Sequence, residues 1–562
     1  MVELGQSPNS NWDDLNVRFL LTVVRRSRKE LEKVMVNMLK QLLILSLCVG
    51  LLISFAYPVR PPAHHGKIIN IGAGTHLFVD DHVVDKMEQV WRTLNRPEKH
   101  GENPLIVPDK PWEGYLVLQP GTVIWDDEEN IFKMWYNTIG THEKPYVEDY
   151  LCYATSRDGI KWEKPDLGQV EFAGSTKNNI FMKWSGWTHC VVKDKKDPDP
   201  NRRYKLAYWR GGAHYLMTHD RESCGIWAAF SADGKKWTNN PENPVVPCYA
   251  TGDTFQVTQA LDSGQFIMHH KTISRPIRKV SRLVSDDFIH WRNSQQVLHP
   301  DKYDPPDTEF YGLSAFPYAG QYLGILWVYH TYTQFMDFQL VSSRDSIHWE
   351  RSVGRRRFMR LAPDGGYEND TFDSGMVYPS SNPIVKDGRI WIYYSGFTNV
   401  HSAPSFDHDG KIGLGIMRQD GFVSVDATSE GSVLTKPVKL TGSTLSVNMT
   451  SLTEGRLNFK RHSGKKLYSQ LFRENPSAQG YIRVEIQDAD GNAIPGYEAS
   501  SCRPIRDNNA YQPGSWYRIG KQGDVYQQVS WEGKSDLSGV GDKTVQLKFL
   551  IGNAKLYSFK LE

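Results

Sequence analysis

One short phrase recurs along this chain and constrains its fold more than any other feature. It reads Ser156-Arg157-Asp158-Gly159-Ile160-Lys161-Trp162, then Ser231-Ala232-Asp233-Gly234-Lys235-Lys236-Trp237. It returns as Ser285-Asp286-Asp287-Phe288-Ile289-His290-Trp291 and Ser343-Arg344-Asp345-Ser346-Ile347-His348-Trp349, with a degenerate fifth copy at Arg418-Gln419-Asp420-Gly421-Phe422. The aligned aspartates are spaced 75, 54, 58 and 75 residues apart, intervals that fit one multi-stranded unit per repeat. An aspartate can bond the turn backbone, a glycine supplies a positive φ, and the tryptophan anchors the next strand. These aspartates therefore read as scaffolding and not as catalysts.

A second feature precedes each turn. Two β-like runs flank a polar turn in Val123–Asn137, Val191–Arg210, Val257–Lys271, Leu313–His330 and Pro383–Gly396. The second run is aromatic-rich, as in Ile131–Asn137, Tyr204–Arg210 and Ile390–Gly396. Helical periodicity is largely absent after residue 60. The pattern predicts an all-β chain: a five-bladed β-propeller over residues 60–426, then a C-terminal β-sandwich over 427–562. The segment from Leu77 to Leu94 is expected to supply the outer strand of the last blade. The tail shows alternating runs at Leu445–Val447, Tyr481–Ile486, Tyr526–Trp531 and Thr544–Leu550, and a final strand Lys555–Leu561; packing on the propeller is its expected role, glycan binding the alternative.

Formal net charge is only +2, which gives no basic face for nucleic acid. Aromatics make up 12% of the chain, enough to fill sheet cores and still line a cleft where sugar rings stack. Residues 41–56 form an apolar run after Lys40, ending in Ser54-Phe55-Ala56. The run is shorter than the roughly 20 residues of a comfortable membrane span, and its end is a small-x-small cleavage pattern. Residues 35–56 thus read as a signal peptide, with a secreted or periplasmic protein as the result. The alternative is an uncleaved anchor that leaves the propeller outside the cytoplasm and is the chain's only membrane contact. Residues 1–34 read as an N-terminal extension, and Met35 or Met38 would be a natural start for the signal. No sequence feature sets an oligomeric state. Of six cysteines, Cys190, Cys224 and Cys248 offer a bridge in an oxidising compartment with the pairing left open. No C-x-x-C spacing points to zinc, and no metal site is expected from the residues.

The repeated turns, the export signal and the tail resemble the glycoside hydrolase families 32 and 43 and their relatives. More narrowly, Phe78-Val79-Asp80-Asp81, Asp420-Gly421-Phe422-Val423-Ser424 and Val484-Glu485-Ile486-Gln487-Asp488-Ala489-Asp490-Gly491 resemble bacterial family 32 N-terminal-like proteins. The resemblance implies a glycosidase acting on a plant or algal poly- or oligosaccharide, with no required cofactor and room for a structural calcium ion. Family 32's Trp-Met-Asn-Asp-Pro-Asn-Gly, Arg-Asp-Pro and Glu-Cys motifs are absent, which argues against an invertase or inulinase.

Glycosidic cleavage ordinarily needs a carboxylic acid and a carboxylate base or nucleophile, and a third carboxylate often tunes them. In a propeller such groups belong near the starts of the inner strands. Asp253, Asp307, Glu309, Glu368, Asp370 and Asp373 sit there, with Glu113 and Asp80-Asp81 as further candidates. The catalytic set expected is Glu309 as acid, Asp253 as base or nucleophile and Asp373 as third carboxylate. Substrate binding is expected from His189, His270, His401, Tyr311, Trp135 and Arg278. Core packing is the competing role for the aromatic and histidine side chains. His269, His330, Arg157, Arg210, Tyr136, Trp209 and Tyr394 are weaker candidates. Retention or inversion stays open. A glycoside phosphorylase, which needs a basic cluster beside the acid, and a non-catalytic glycan-binding propeller are the alternatives. A sialidase is set aside because it needs six blades and a three-arginine clamp.

Overall fold

The computed structural model describes residues 69–139, 149–184, 188–211, 223–272, 277–359, 361, 371–403, 409–451, 480–506, 525–541 and 543–562. Apart from three single 3₁₀ turns, their regular structure is all β. No helix among them is long and apolar enough to cross a membrane; the apolar run at 41–56 lies outside the described residues.

Antiparallel meanders follow one another in chain order. The first is Leu116–Asp126, Ile131–Ile139, Asp149–Ser156 and Ile180–Trp184. The second is His189–Lys193, Tyr204–Arg210 and Gly225–Ser231, whose outer side pairs with Thr238–Asn239 and Val246–Pro247. The third is Phe255–Gln259, Phe266–Thr272, Lys279–Ser285 and Arg292–Leu298. A fourth (Thr308–Tyr318, Gln321–His330, Met336–Ser343) and a fifth (Met376–Pro379, Arg389–Phe397, Lys411–Arg418) share one sheet through a parallel pairing of Met336 with Met376. The aromatic runs seen in the sequence are second strands. They are flanked on both edges and buried on both faces, so they read as continuous apolar segments rather than alternating ones.

Hydrophobic cores join consecutive meanders. Trp135 and Leu151 pack with Leu206 and Ala229; Ile226 and Val246 pack with Phe255 and Met268. Val280 and Leu298 pack with Phe310 and Leu326; Phe338 and Leu340 pack with Val377 and Ile392. Trp391 and Tyr393 of the fifth then pack with Phe132 and Met134 of the first. The series of cores returns to its beginning.

The Ser-x-Asp turns add polar links to this series. Asp158 Oδ1 accepts the Ile160 and Lys161 N–H groups at 2.9 and 2.8 Å, and Asp233, Asp287 and Asp345 repeat the pattern. The next residue is left-handed in all four: Gly159, Gly234, Phe288 and Ser346 have φ of 75°, 77°, 70° and 63°. In three of them its carbonyl accepts a bond from a second strand of the neighbouring meander. Trp135 Nε1 donates to Gly234 at 2.6 Å, His269 Nε2 to Ser346 at 3.4 Å and Tyr393 Oη to Gly159 at 2.7 Å. The fifth copy differs from this geometry. Asp420 itself has φ 62°, and its carboxylate accepts from Tyr318 Oη at 2.7 Å, from Ser558 Oγ at 2.6 Å and from Tyr526 Oη. It ties the meanders to the C-terminal sheet.

That sheet is organised by one 18-residue strand, Thr544–Leu561, where the sequence suggested two separate runs. It pairs with Val423–Thr435, Leu445–Ser451 and Tyr481–Gln487. Its alternate residues Val545, Leu547, Phe549 and Ile551 face a core with Trp531 and Tyr497. The expected closing strand is corrected here. Gly74–Leu77 pairs with Thr544–Leu561, while Val84–Glu88 and Trp91–Leu94 pair with Val423–Thr435. The segment lies between two cores: Phe78, Val83 and Val84 pack in the C-terminal core, where the Phe78 ring lies 5.9 Å from those of Phe549 and Phe559, while Leu77, Val79 and Leu94 pack with Phe338 and Ile392 of the fourth and fifth meanders, and its backbone pairing is all to the C-terminal sheet. The strand that caps the fifth meander is the later and shorter Glu98–Lys99, paired with Ile416 and Gly415.

Candidate active site

Tyr311 stands at the centre of the best-connected group of candidate residues. It lies in Thr308–Tyr318, where Phe310 pairs with Val328 and Gly312 with Trp327. Tyr311 is thus the extra residue of a β-bulge, a device that re-aims a side chain out of the regular ladder. Gly312 lets the third meander approach, because a Cβ there would lie 2.9 Å from Thr254 Cγ2. The approach brings Asp253 to the fourth meander. Asp253 is bracketed by two backbone bonds to one residue: Gly252 N–H donates to Lys271 O, and Lys271 N–H donates to Thr254 O, both at 2.8 Å.

Two ion pairs meet at the Tyr311 ring. Lys271 Nζ lies 2.5 Å from Asp253 Oδ1 and 3.9 Å from the ring centroid. Arg278 Nη1 pairs with Glu309 Oε2, and its guanidinium carbon lies 5.4 Å from the Tyr311 ring and 5.2 Å from that of Tyr329. The Tyr311 hydroxyl and His401 Nε2 hydrogen-bond at 3.1 Å. The Tyr329 hydroxyl donates to Gln334 Oε1 at 2.5 Å, and Gln334 O accepts the His401 N–H at 3.0 Å. Tyr378 completes the wall, its ring 6.3 Å from that of Tyr311. Asp253 and Arg278 each keep 33% of their side chains exposed, whereas Lys271 keeps 4%. The Asp253 and Arg278 side chains are partly open to solvent and that of Lys271 is not.

The electrostatics follow from this packing. Burial pushes the Asp253 carboxyl up, but Lys271 outweighs it and holds the pKa below the ordinary carboxylate value. Burial lowers the Lys271 ammonium pKa despite Asp253 beside it. At Arg278 burial works against the charge, and Glu309 overcomes it and raises the pKa. Burial raises the Tyr311 phenol pKa, and the nearby Asp253 charge adds to the rise. Asp253 is ionised, Tyr311 keeps its proton, and both cations are charge-matched.

The structure brings Asp253, Glu309, Arg278, Tyr311 and His401 together. It places the remaining candidates elsewhere. Asp373 is 2% exposed; it pairs with Lys99 of the capping strand at 2.5 Å and accepts from Tyr394 Oη at 2.7 Å. Those contacts hold the joint between that strand and the fifth meander, not the Tyr311 group. Trp135 is wholly buried and bonded to Gly234, so its indole has no face for a sugar. His189 is buried, donates to Trp135 O at 2.8 Å, and has its pKa lowered by burial to about 4. His270 is buried with its pKa likewise lowered by burial to about 4, and its neighbour Lys271 is the one at the site. Glu113 is tied to Lys164 and Tyr136, and Asp80 to Arg344. His330 bonds Asp337, and Arg210 stacks on Trp227. Glu368 and Asp370 lie outside the described residues.

Sequence reasoning passed over Lys271, Tyr329, Tyr378 and Gln334. Lys271 had a signal, a lysine ending the apolar second strand Phe266–Thr272, where a charge needs a partner. Among the described residues no group of three or more His, Cys, Asp or Glu side chains is arranged to hold a metal ion.

No family model matches the chain. It is 31% identical over 111 residues to an uncharacterized protein of Mycobacterium tuberculosis (strain CDC 1551 / Oshkosh), a match covering 19% of this chain and 29% of that one. An uncharacterized protein of strain ATCC 25618 / H37Rv matches at 30% over 111 residues, with the same coverage. The aligned part is thus under a third of either relative. Among solved structures, a glycosyl hydrolase from Bacteroides ovatus is similar at 15% identity and TM-score 0.38, over 60% of this chain and 97% of that chain. A thermostable family-43 glycoside hydrolase is similar at 14% and 0.39, over 56% and 94%. A fructofuranosidase from Schwanniomyces occidentalis complexed with fructosylnystose is similar at 14% and 0.38, over 83% and 97%. Likenesses of this size do not assign an activity.

Proposed function

We propose that this chain is a five-bladed β-propeller with a C-terminal β-sandwich that works outside the cytoplasm and cleaves glycosidic bonds of a poly- or oligosaccharide. The meeting of Asp253 and Glu309 at Tyr311 carries the reading. The return of the fifth core to the first meander supports the closed ring of blades.

Two carboxyl groups at the starts of the inner strands of successive blades are the minimal equipment for glycoside chemistry. Asp253, kept ionised by Lys271, either activates water or attacks the anomeric carbon. Glu309 donates the proton to the leaving oxygen, a role that requires substrate to loosen its pairing with Arg278. Tyr311, Tyr329 and His401 form the polar and aromatic wall against which a sugar ring rests. Asp373, bound to Lys99 and Tyr394, serves this reading as a structural carboxylate.

Arg278 favours one second reading. A guanidinium open to solvent beside the carboxylates suits an attacking phosphate as well as a water. Incubation with an oligosaccharide panel, with and without inorganic phosphate, separates the two. Hydrolysis releases free reducing sugar at a rate independent of phosphate, and phosphorolysis releases a sugar 1-phosphate only when phosphate is present. Saccharide binding without any product would instead establish a glycan-binding propeller.

A further inference from the structure

The strand register chooses among the cysteine pairings that the sequence leaves open. Gly225–Ser231 runs antiparallel to Val246–Pro247, with Gly225 opposite Pro247 and Ile226 opposite Val246. One step further along the same register sets Cys224 opposite Cys248. The Cys248 N–H donates to the Cys224 carbonyl at 2.9 Å, which fixes the two as a directly opposed pair. Opposed residues project to the same side of the ladder. Residues opposed across an antiparallel pair have Cα atoms about 4.5–5.5 Å apart, inside the roughly 4.4–6.8 Å range of disulfides.

The surroundings agree. Both side chains belong to the apolar core between the second and third meanders. Cys224 is buried and Cys248 is half-buried, so a reagent from solvent meets Cys248 first. Cys190 shares that core but contacts Thr122 and Val257 O. Cys152 and Cys502 lie in other cores.

We propose that Cys224 and Cys248 form a disulfide site, closed by exchange with a disulfide-bearing oxidant. The Cys248 thiolate attacks one sulfur of the oxidant and expels the other as a thiolate. The Cys224 thiolate then attacks the Cys248 sulfur of the mixed disulfide and expels the second oxidant thiolate. The two cysteine protons pass through solvent to the expelled thiolates, so the two cysteines are oxidised and the oxidant is reduced to two thiols.

The position gives the bond a consequence for the site. Cys248 begins the connection that reaches Asp253 five residues on. Ala250 N–H donates to Pro247 O at 2.9 Å near its start, and Gly252 N–H donates to Lys271 O at 2.8 Å near its end. A bridge at Cys248 fastens covalently the end of this connection that lies away from Lys271.

The test is peptide mapping of the full chain after incubation with oxidised glutathione, acid quenching, unfolding and alkylation. The expected result is one linked peptide pair containing Cys224 and Cys248, with both residues protected from alkylation. Cys248→Ser removes the link and creates no other, and reductant lowers the unfolding midpoint of the wild type but not of that variant. Full alkylation of Cys224 and Cys248 after oxidation, or a link that uses Cys190, overturns the proposal. The mapping needs only the wild-type chain, so it decides the matter even if Cys248→Ser fails to fold.

Discussion

Tyr393 donates its hydroxyl hydrogen to the carbonyl oxygen of Gly159 at 2.7 Å, across 234 residues of chain. The bond joins a second strand of the fifth meander to the Asp-turn of the first, as Trp135 joins the first to Gly234 of the second. Tyr393→Phe leaves a buried carbonyl unpaired and is expected to cost about 1–3 kcal/mol. Gly159→Ala is expected to cost more, because its Cβ would lie 2.7 Å from Tyr393 Oη at a φ of +75°. Urea titration measures both; a lowered midpoint with an unchanged slope is the expected outcome.

Three buried histidines weaken the fold in acid. His189, His269 and His270 have pKa values lowered by burial from 6.5 to about 4, about 3 and about 4. Their folded values lie below the unfolded one, so the unfolded chain binds protons first as pH falls. Stability is whole above the unfolded pKa and drops below it, by about 1.4 kcal/mol per pH unit for each histidine. Unfolding free energies from pH 7 to pH 4.5 should show this slope, and His189→Gln should make it shallower.

Lys271 keeps Asp253 ionised against burial. With Lys271→Met, burial is opposed only by the smaller effects of the Thr254 hydroxyl and a backbone hydrogen bond, so the Asp253 pKa rises. The acid limb of kcat/KM, which requires the ionised carboxylate, should move to higher pH. A pH–rate profile checks it, and an unmoved limb would separate Lys271 from the chemistry.

The sequence was most legible where side chains bond their own backbone. Asp158, Asp233, Asp287 and Asp345 close the same local turn, and a local bond leaves a local signature. Asp420 shares their sequence phrase but bonds Tyr318, Tyr526 and Ser558 from distant strands, which no local pattern encodes. The capping strand was hidden for the same reason: Glu98 and Lys99 are two residues whose partners lie more than 300 positions away. At the site, Asp253 and Glu309 were found from their place near the starts of the first strands of the third and fourth meanders. Tyr311 reaches them through a bulge, and Lys271 through a strand end. Asp373, like Asp253, stands just ahead of the first strand of its meander, and their tertiary partners, Lys99 and Tyr394 on one and Lys271 on the other, separate their environments.

The central claim is that Asp253 and Glu309 act as one pair at Tyr311. Initial rates of oligosaccharide cleavage by wild type, Asp253→Asn, Glu309→Gln and the double variant, each verified as folded, test it most directly. Each single variant should lose about 10²–10⁴-fold in kcat, and the double variant should be little worse than the weaker single one, because residues acting as a unit are not additive. Wild-type rates in either single variant would contradict the account.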